Sequence, residues 1–361
     1  MVKHNKVLIA ALDWGLGHAT RMIPIIDYFL ENNYEVAIAS SSNALILLQN
    51  RYTYLKCFEL PTYNIKYSNK SMVMNMITQL PKIQTAISKE KKALDLILNE
   101  FPANLIISDN RYGIYHKDIP SVFITHQLQI LPPNIMKATK PLLKALHKEM
   151  ISKFNQVWVP DFRGVGNIAG ELSQINSPPE NVFYIGALSR FISYKRLESN
   201  QINKLPNILV LLSGPEPTRS EFESIVLKQL ENYKANSVVL RGLPGVIEKS
   251  VLGNILIYNH LEDGELLKLI DSSDLIISRS GYSTIMDLYY LGVKAVFIPT
   301  PGQTEQEYLA NKLFEESRFF YQKQNEFSID NIVKNYTKYS GFNSSMSIYK
   351  NEISKALKQL N

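Results

Sequence analysis

The sequence predicts an α/β protein built of two Rossmann-like, doubly wound domains facing a cleft. Three observations carry this. Apolar strand-like runs and helical stretches alternate through both halves, each half opens with a strand and a glycine-containing turn, and 361 residues suit two domains better than one. Residues 1–187 are expected to form the first domain, 188–204 the linker, 205–340 the second domain, and 341–361 a helical tail that returns to the first.

The first half begins with a strand over Lys6–Leu12, the turn Asp13-Trp14-Gly15-Leu16-Gly17-His18, a helix from Ala19 to Asn32 and a strand over Tyr34–Ser40. A short helix at Leu45–Gln49, a strand over Tyr52–Leu60 and a long helix over Pro81–Glu100 follow. Between them Thr62–Leu80 mixes Tyr and Met with Asn, Ser and Lys without a clean period, as in a loop over a groove or an irregular core edge. Asn104–Ser108 and Ser121–Thr125 read as buried strands, each ending in polar residues, Asp109-Asn110 and His126-Gln127. A basic amphipathic helix over Pro141–Phe154 and strands at Gln156–Pro160 and Val182–Gly186 complete this half.

The second half restarts with the apolar run Asn207–Leu212, the turn Ser213-Gly214-Pro215 and a helix over Arg219–Glu231. Strands at Ser237–Leu240 and Asn254–Tyr258 are each expected to lead into a helix. Asp274–Lys312 then reads as strand (Leu275–Ser278), turn (Ser280-Gly281), helix to Leu291-Gly292, strand (Val293–Pro299) and a polar loop opening a further helix.

Composition bounds the function. The single cysteine, Cys57, excludes an intrachain disulfide and fits a reducing compartment. No apolar run approaches the ~20 residues of a membrane span, and the run before Asp13 is too short for a signal peptide. A cytoplasmic protein is expected. The net charge of +6 favours anionic partners, nucleotides or an anionic membrane surface among them. No basic run interleaved with aromatics speaks for nucleic acid.

Polar residues at the carboxyl edges of parallel strands are where α/β sheets bind ligands. In the Ser280-Gly281 turn a helix N-terminus suits a phosphate. Ser280, Ser283, Thr284 and Asp287 share one helix face, so the carboxylate is placed to accept ribose hydroxyls. Gln306 and Glu307, opening the next helix, form an amide–carboxylate pair able to read sugar hydroxyls. An ordinary βαβ unit with a capping serine accounts equally for this stretch taken alone. In the first half, His18 and Asp109 are expected at one sheet edge, where a carboxylate can orient an imidazole as a base; His126 is a rival base. There is no metal-ligand spacing, so no metal is expected; leaving-group charge would fall to backbone N–H groups, helix dipoles, Arg279 or Arg219, with Ser213 and Gly214 as a second phosphate contact.

The segment ISRSGYSTIMDLYYLGVKAVFIPTPGQTEQEYLANKL resembles the donor-binding segment of GT-B glycosyltransferases of the MurG-like, family 28 kind, and DWGLGHATR resembles their Gly-rich, His-bearing loop. The resemblance implies GT-B architecture and an inverting, metal-independent hexosyl transfer from a nucleotide diphosphate sugar, UDP-linked, to a hydroxyl acceptor; the basic charge and amphipathic surface point to an acceptor that is lipid-linked or a cell-surface glycan precursor, at the inner membrane face. The resemblance implies no cofactor. Residue by residue, His18 matches the catalytic base and Asp109 its partner acid in the plant-type enzymes; Gly15 and Gly17 belong to the loop, with Arg21 completing G-x-G-H-x-x-R and Asn110 and His126 on the same edge. Leu261 matches the position whose backbone holds the base, Ser280 and Gly281 the phosphate turn, Asp287 the ribose carboxylate, and Gln306 and Glu307 the sugar-reading pair. Two residues and one loop depart from the pattern: Glu307 replaces a glutamine, Asp287 a glutamate, and Ser213-Gly214-Pro215 a Gly-Gly-Ser loop. A nucleotide-sugar hydrolase or epimerase shares the fold and the histidine turn, and a non-catalytic sugar-nucleotide-binding subunit is the alternative of another class.

Overall fold

The structure is a computed structural model of the chain. It describes residues 5–63, 72–130, 140–194, 207–245, 248–343 and 348–360, without the side chains of 72–81, 83, 140, 142–144 and 146. The expected segment 62–80 and linker 188–204 therefore lie partly outside the described residues, as does most of the apolar stripe of the basic helix. The chain forms two compact units, Met1–Trp14 with His18–Leu188 and Ser347–Asn361, and Gly15–Gly17 with Ser189–Met346.

The first unit holds β1 (Lys6–Ala11), α1 (Leu16–Glu31), β2 (Glu35–Ser40), α2 (Ser42–Arg51), β3 (Lys56–Glu59), α3 (Met72–Glu100), β4 (Leu105–Asp109), β5 (Ser121–Ile124), α4 (Lys140–Ile151), β6 (Gln156–Val159) and β7 (Val182–Tyr184). Its sheet has the order β3-β2-β1-β4-β5-β6-β7, and every pairing is parallel. Strands covered on both faces need apolar side chains throughout, which is why β1, β4 and β5 are continuous buried runs. Strand order reverses between β1 and β4, the place where doubly wound sheets open for ligands. The register pairs Ala11 with Asp109 and Asp109 with Ile124, so the ends of three strands sit level there.

A buried ion pair props that edge from behind. Arg111 Nη1 lies 3.0 Å from Glu90 Oε1 of α3, and the guanidinium also donates to the carbonyls of Ala11 and Pro61 and to Ser41 Oγ. Glu90 Oε2 accepts from Tyr63 Oη and from the Gly113 N–H.

The second unit holds β8 (Ile208–Leu211), α5 (Thr218–Leu230), β9 (Ser237–Leu240), β10 (Lys249–Leu252), β11 (Ile255–Tyr258), α6 (Asp263–Ser272), β12 (Leu275–Ser278), α7 (Tyr282–Leu291), β13 (Val296–Phe297), α8 (Thr304–Glu315), β14 (Phe320–Tyr321) and α9 (Ile329–Asn335). The sheet order is β10-β11-β9-β8-β12-β13-β14, parallel except for β10 against β11. Ser278 pairs with both Leu211 and Phe297, so the turns after β8, β12 and β13 leave the sheet at one level. Helix α10 (Tyr349–Leu357) belongs to the first unit, where Gln156 Nε2 donates to the Ala356 carbonyl at 2.8 Å.

Several elements differ from expectation. Helix α1 starts at Leu16, so Gly17 and His18 lie in its first turn and not ahead of it. Helix α3 runs through Pro81 from Met72, the proline marking no boundary. No helix follows β9: β10 intervenes and turns back through Gly253-Asn254, a two-residue connection with Gly253 at φ 58°. Strand β13 keeps only two residues of the expected run. Gly292 stops α7 in the left-handed conformation, φ 61°, as the sequence suggests.

The Glu90–Arg111 pair yields a prediction. Arg111→Leu leaves Glu90 buried without its cation, and stability to urea should fall by roughly 3–5 kcal/mol. A loss below about 1 kcal/mol would show the pair to be dispensable.

Candidate active site

In the first unit four polar side chains converge at the β1/β4 edge. Asp109, the last residue of β4, is fully buried. Arg21, from α1, presents Nε to Asp109 Oδ2 at 2.9 Å and Nη2 to Oδ1, a two-bond fork. His18 Nδ1 lies 3.0 Å from Asp109 Oδ2 and 2.9 Å from Arg21 Nη2. Arg21 Nη1 lies 3.1 Å from His126 Nδ1. One helical turn separates His18 from Arg21, so both reach the same carboxylate from the start of α1.

The tautomer of His18 follows from these contacts. Nδ1 faces one acceptor and one donor, and the carboxylate is charged while Arg21 Nη2 already donates to Asp109 Oδ1. Nδ1–H donating to Asp109 is therefore the assigned state, which leaves the lone pair on Nε2. His18 keeps 16% of its side chain exposed, whereas Asp109 has none.

Charge state points the same way. Burial lowers the pKa of His18 below the ordinary 6.5; Asp109 opposes this and Arg21 reinforces it. The N-terminal end of α1 also disfavours an imidazolium. Burial pushes the Asp109 carboxyl up, yet Arg21 and His18 together outweigh it and hold the group below its usual value. Both shifts favour a neutral imidazole hung on an ionised carboxylate. His126, with Nδ1 facing the Arg21 cation, does not have this arrangement.

In the second unit, Gly281 is the N-cap of α7 without a side-chain cap, and a Cβ placed there would meet nothing within 4 Å. Gly214 after β8 has φ 109°, which only glycine adopts readily. Three buried polar atoms at this edge lack a partner: Ser278 Oγ, Arg279 Nε and Thr300 Oγ1. Orphans grouped where three turns leave a sheet mark a place for a polar ligand. Ser213 is exposed, Ser283 and Thr284 are half-buried, and Leu261 sits half-buried between β11 and α6.

Several expected contact residues are engaged inside the protein. Arg279 is buried; its two Nη atoms donate to the carbonyls of Ile298, Pro299 and Thr218 and to Gln324 Oε1, and its plane lies 4.2 Å from the Phe222 ring centroid. Burial drops its pKa to about 10. It clamps the edge and does not face outward. Arg219 is held by Glu216, Glu223 and Ser220, and Arg21 by the cluster above, because a cation drawn out of water must be paired. Ser280 Oγ donates to the Gln306 carbonyl, Gln306 Oε1 accepts from the Thr300 N–H, and Glu307 Oε1 from the Gly302 N–H. The pair at the head of α8 thus also ties down its own loop. Asn110, at φ 52°, turns the chain away after Asp109. Gly15, at φ 81°, opens the turn into α1.

Asp287 has partners that sequence reasoning missed. Ser189 Oγ donates to Oδ1 at 2.7 Å and Arg190 Nε to Oδ2 at 3.2 Å, while Arg190 Nη1 lies 3.3 Å from Asp263 Oδ1. Burial raises the Asp287 pKa to about 6 against the pull of Arg190 and Ser189. Arg190 falls in the stretch read as linker, where no periodicity singled it out. Among the described residues, no group of three His, Cys, Asp or Glu side chains is placed to hold a metal ion, and no helix is long and apolar enough to cross a membrane.

Comparison with known proteins gives this geometry its context. Residues 263–360 match the family model of the glycosyltransferase family 28 C-terminal domain. An uncharacterized glycosyltransferase of Methanosarcina acetivorans is 24% identical over 331 residues, 86% of this chain and 84% of that protein. The UDP-N-acetylglucosamine–N-acetylmuramyl-(pentapeptide) pyrophosphoryl-undecaprenol N-acetylglucosamine transferase of Rickettsia felis is 32% identical over 115 residues, 30% of this chain and 32% of that one. Among solved structures, the glycotransferase of kitacinnamycin superposes with a TM-score of 0.64 at 12% identity, covering 99% of this chain and 95% of its own. Acinetobacter baumannii MurG does so with 0.53 at 11%, covering 99% and 94%. The fold is that of the GT-B enzymes. Residues 263–360 thus resemble the family 28 C-terminal domain, on a chain whose fold is that of the GT-B glycosyltransferases.

Arg21 lowers the His18 pKa in this cluster, so its removal has a signed effect. In Arg21→Met the His18 resonance should titrate at higher pH than in the wild type in an NMR pH series, because a repelling cation is gone and Asp109 is left less compensated. An unchanged or lower midpoint would contradict this electrostatic account.

Proposed function

We propose that the protein is an inverting, metal-independent glycosyltransferase that moves a hexose from a nucleoside diphosphate sugar, UDP-linked, to a hydroxyl acceptor. The observation that carries the reading is the His18 imidazole, with Nδ1 held by ionised Asp109 and its pKa lowered. In the reaction, the acceptor oxygen attacks the anomeric carbon from the face opposite the leaving group. Its proton passes to His18 Nε2, the bond from the anomeric carbon to the phosphate oxygen breaks, and the nucleoside diphosphate departs. A base that is neutral at working pH is ready for this, and general base catalysis contributes typically ~10²–10⁴-fold.

The second unit supports the donor half of the reading. The uncapped start of α7 at Gly281, the Ser213-Gly214 turn and the orphaned Thr300 Oγ1 offer donors and space to a diphosphate, so departure of its charge is met by N–H groups and a helix dipole. Asp287, Gln306 and Glu307 take the ribose and the sugar in this reading, by exchanging internal partners for substrate hydroxyls. Nucleotide-bearing relatives of the fold include VinC in complex with dTDP, so the base is a matter for the experiment. The net charge of +6 supports work at the inner face of the membrane on a lipid-linked or glycan-precursor acceptor.

His18→Ala should lower transfer by at least about 10²-fold while leaving the thermal shift produced by UDP within error of the wild type. Loss of nucleotide binding in that variant would remove His18 from the role of base. Incubation of the wild type with UDP-sugar and no acceptor should give little free sugar; stoichiometric release would identify a hydrolase.

A further inference from the structure

Strands β9 and β11 are parallel neighbours, and such pairs are ordinarily joined by a helix laid on the sheet. Here the described residues between them hold β10 and no helix. The flank of α5 beside the end of β9 is left uncovered, and a cavity of about 430 Å³ opens there. That volume falls within the range of small-molecule sites, about 300–1,000 Å³. Glu223 and Leu227 of α5 line it together with Arg241, Leu243, Glu248 and Asn259. The lining shares no residue with the Ser213-Gly214 and Ser280-Gly281 turns, and the reaction above uses none of these six side chains.

The lining is charged and balanced. Glu223, 8% exposed, accepts from Arg219 Nη1 at 2.7 Å and from Arg241 Nε at 2.6 Å, so both its oxygens are taken. Asn259, 6% exposed, links the remaining two groups. Its Oδ1 accepts from Arg241 Nη1 at 3.2 Å, and its Nδ2 donates to Glu248 Oε2 at 3.1 Å. Arg241 and Glu248 are thereby held at the two ends of one amide. Arg241 Nη2 and Glu248 Oε1 have no hydrogen-bond partner among the described residues.

An open donor and an open acceptor, held apart by an amide, match one ligand chemistry. In an α-amino acid a single carbon separates the carboxylate from the ammonium, a span close to that between the amide oxygen and nitrogen. The carboxylate accepts from Arg241 Nη2 while the ammonium donates to Glu248 Oε1, alongside the two Asn259 bonds. Leu227 and Leu243, both half-buried, offer apolar surface to the ligand's side chain.

We propose that this cavity binds a free α-amino acid with an apolar side chain. The site does not rest on the glycosyltransferase reading. A polyanion is disfavoured, because Arg219 is turned to Glu216, Glu223 and Ser220 and the carboxylates of Glu223 and Glu248 flank Arg241. An acid without an ammonium leaves Glu248 without a donor, and an amine without a carboxylate leaves Arg241 without an acceptor.

Saturation-transfer NMR titrations on the full chain test this with L-leucine and L-phenylalanine. Isocaproate and hydrocinnamate serve as the analogues lacking the ammonium, isoamylamine and phenethylamine as those lacking the carboxylate. At least one amino acid should bind the wild type, with its analogues at least about 10-fold weaker. Arg241→Gln and Glu248→Gln should each weaken it about 10-fold, and added UDP should leave it bound. Binding of neither amino acid, equal binding of either analogue, wild-type affinity in either variant, or displacement by UDP overturns the proposal. Glu248 is exposed, so Glu248→Gln and the analogues decide alone should Arg241→Gln fail to fold.

Discussion

The fork from Arg21 to Asp109 is the interaction on which the first unit's chemistry depends. A carboxylate with no exposed surface at the end of a central strand would ordinarily take up a proton. Paired through two bonds with a guanidinium one helical turn from His18, it stays ionised. It then sets the orientation and tautomer of the imidazole through a single contact to Nδ1. The same guanidinium limits how basic His18 becomes. Burial is the main cause that lowers the His18 pKa, and the cation beside it adds to this against the pull of Asp109. Arg21 therefore acts on the base through the carboxylate and by its own charge, without an outward-facing atom of its own.

The second unit follows a different economy of polar groups. Most of the side chains placed at its sheet edge are turned onto the protein: Arg279 onto four carbonyl or amide oxygens, Ser280 onto the Gln306 carbonyl, Gln306 onto Thr300 of its own loop, Asp287 onto Ser189 and Arg190. What remains open is backbone, at the glycine-bearing turns after β8 and β12, together with a few orphaned atoms between them. An edge built this way suits an anion held by N–H groups more than one held by mobile cations.

How much of this was legible in the sequence follows from what kind of signal each feature leaves. The parallel strands were, because burial on both faces forces apolar runs, and β12 over Leu275–Ser278 is the run the sequence marks out. His18 and Asp109 were legible as neighbours because both follow strands that must end at one edge. The function of Arg21 as their counter-ion was not: an arginine three residues after a histidine reads equally as a substrate contact, and only the distances separate the two. Arg190 left no trace, since it lies in an irregular stretch and its partners are about 70 and 100 residues away in sequence. Strand β10 was missed although Gly253-Asn254 is a recognisable hairpin turn, because its residues are all exposed and show no alternation. The cavity beside α5 left no sign either, since it follows from β10 standing where a crossover helix was expected.

The central claim is that His18 is a neutral base whose Nδ1–H is held by Asp109 and whose Nε2 bears the lone pair. The ¹⁵N chemical shifts of the His18 ring at neutral pH test it most directly. The account predicts a protonated Nδ1 and an unprotonated Nε2, with the midpoint for the imidazolium lying below the ordinary 6.5. A ring that is already an imidazolium at neutral pH, or one protonated on Nε2 alone, would contradict it.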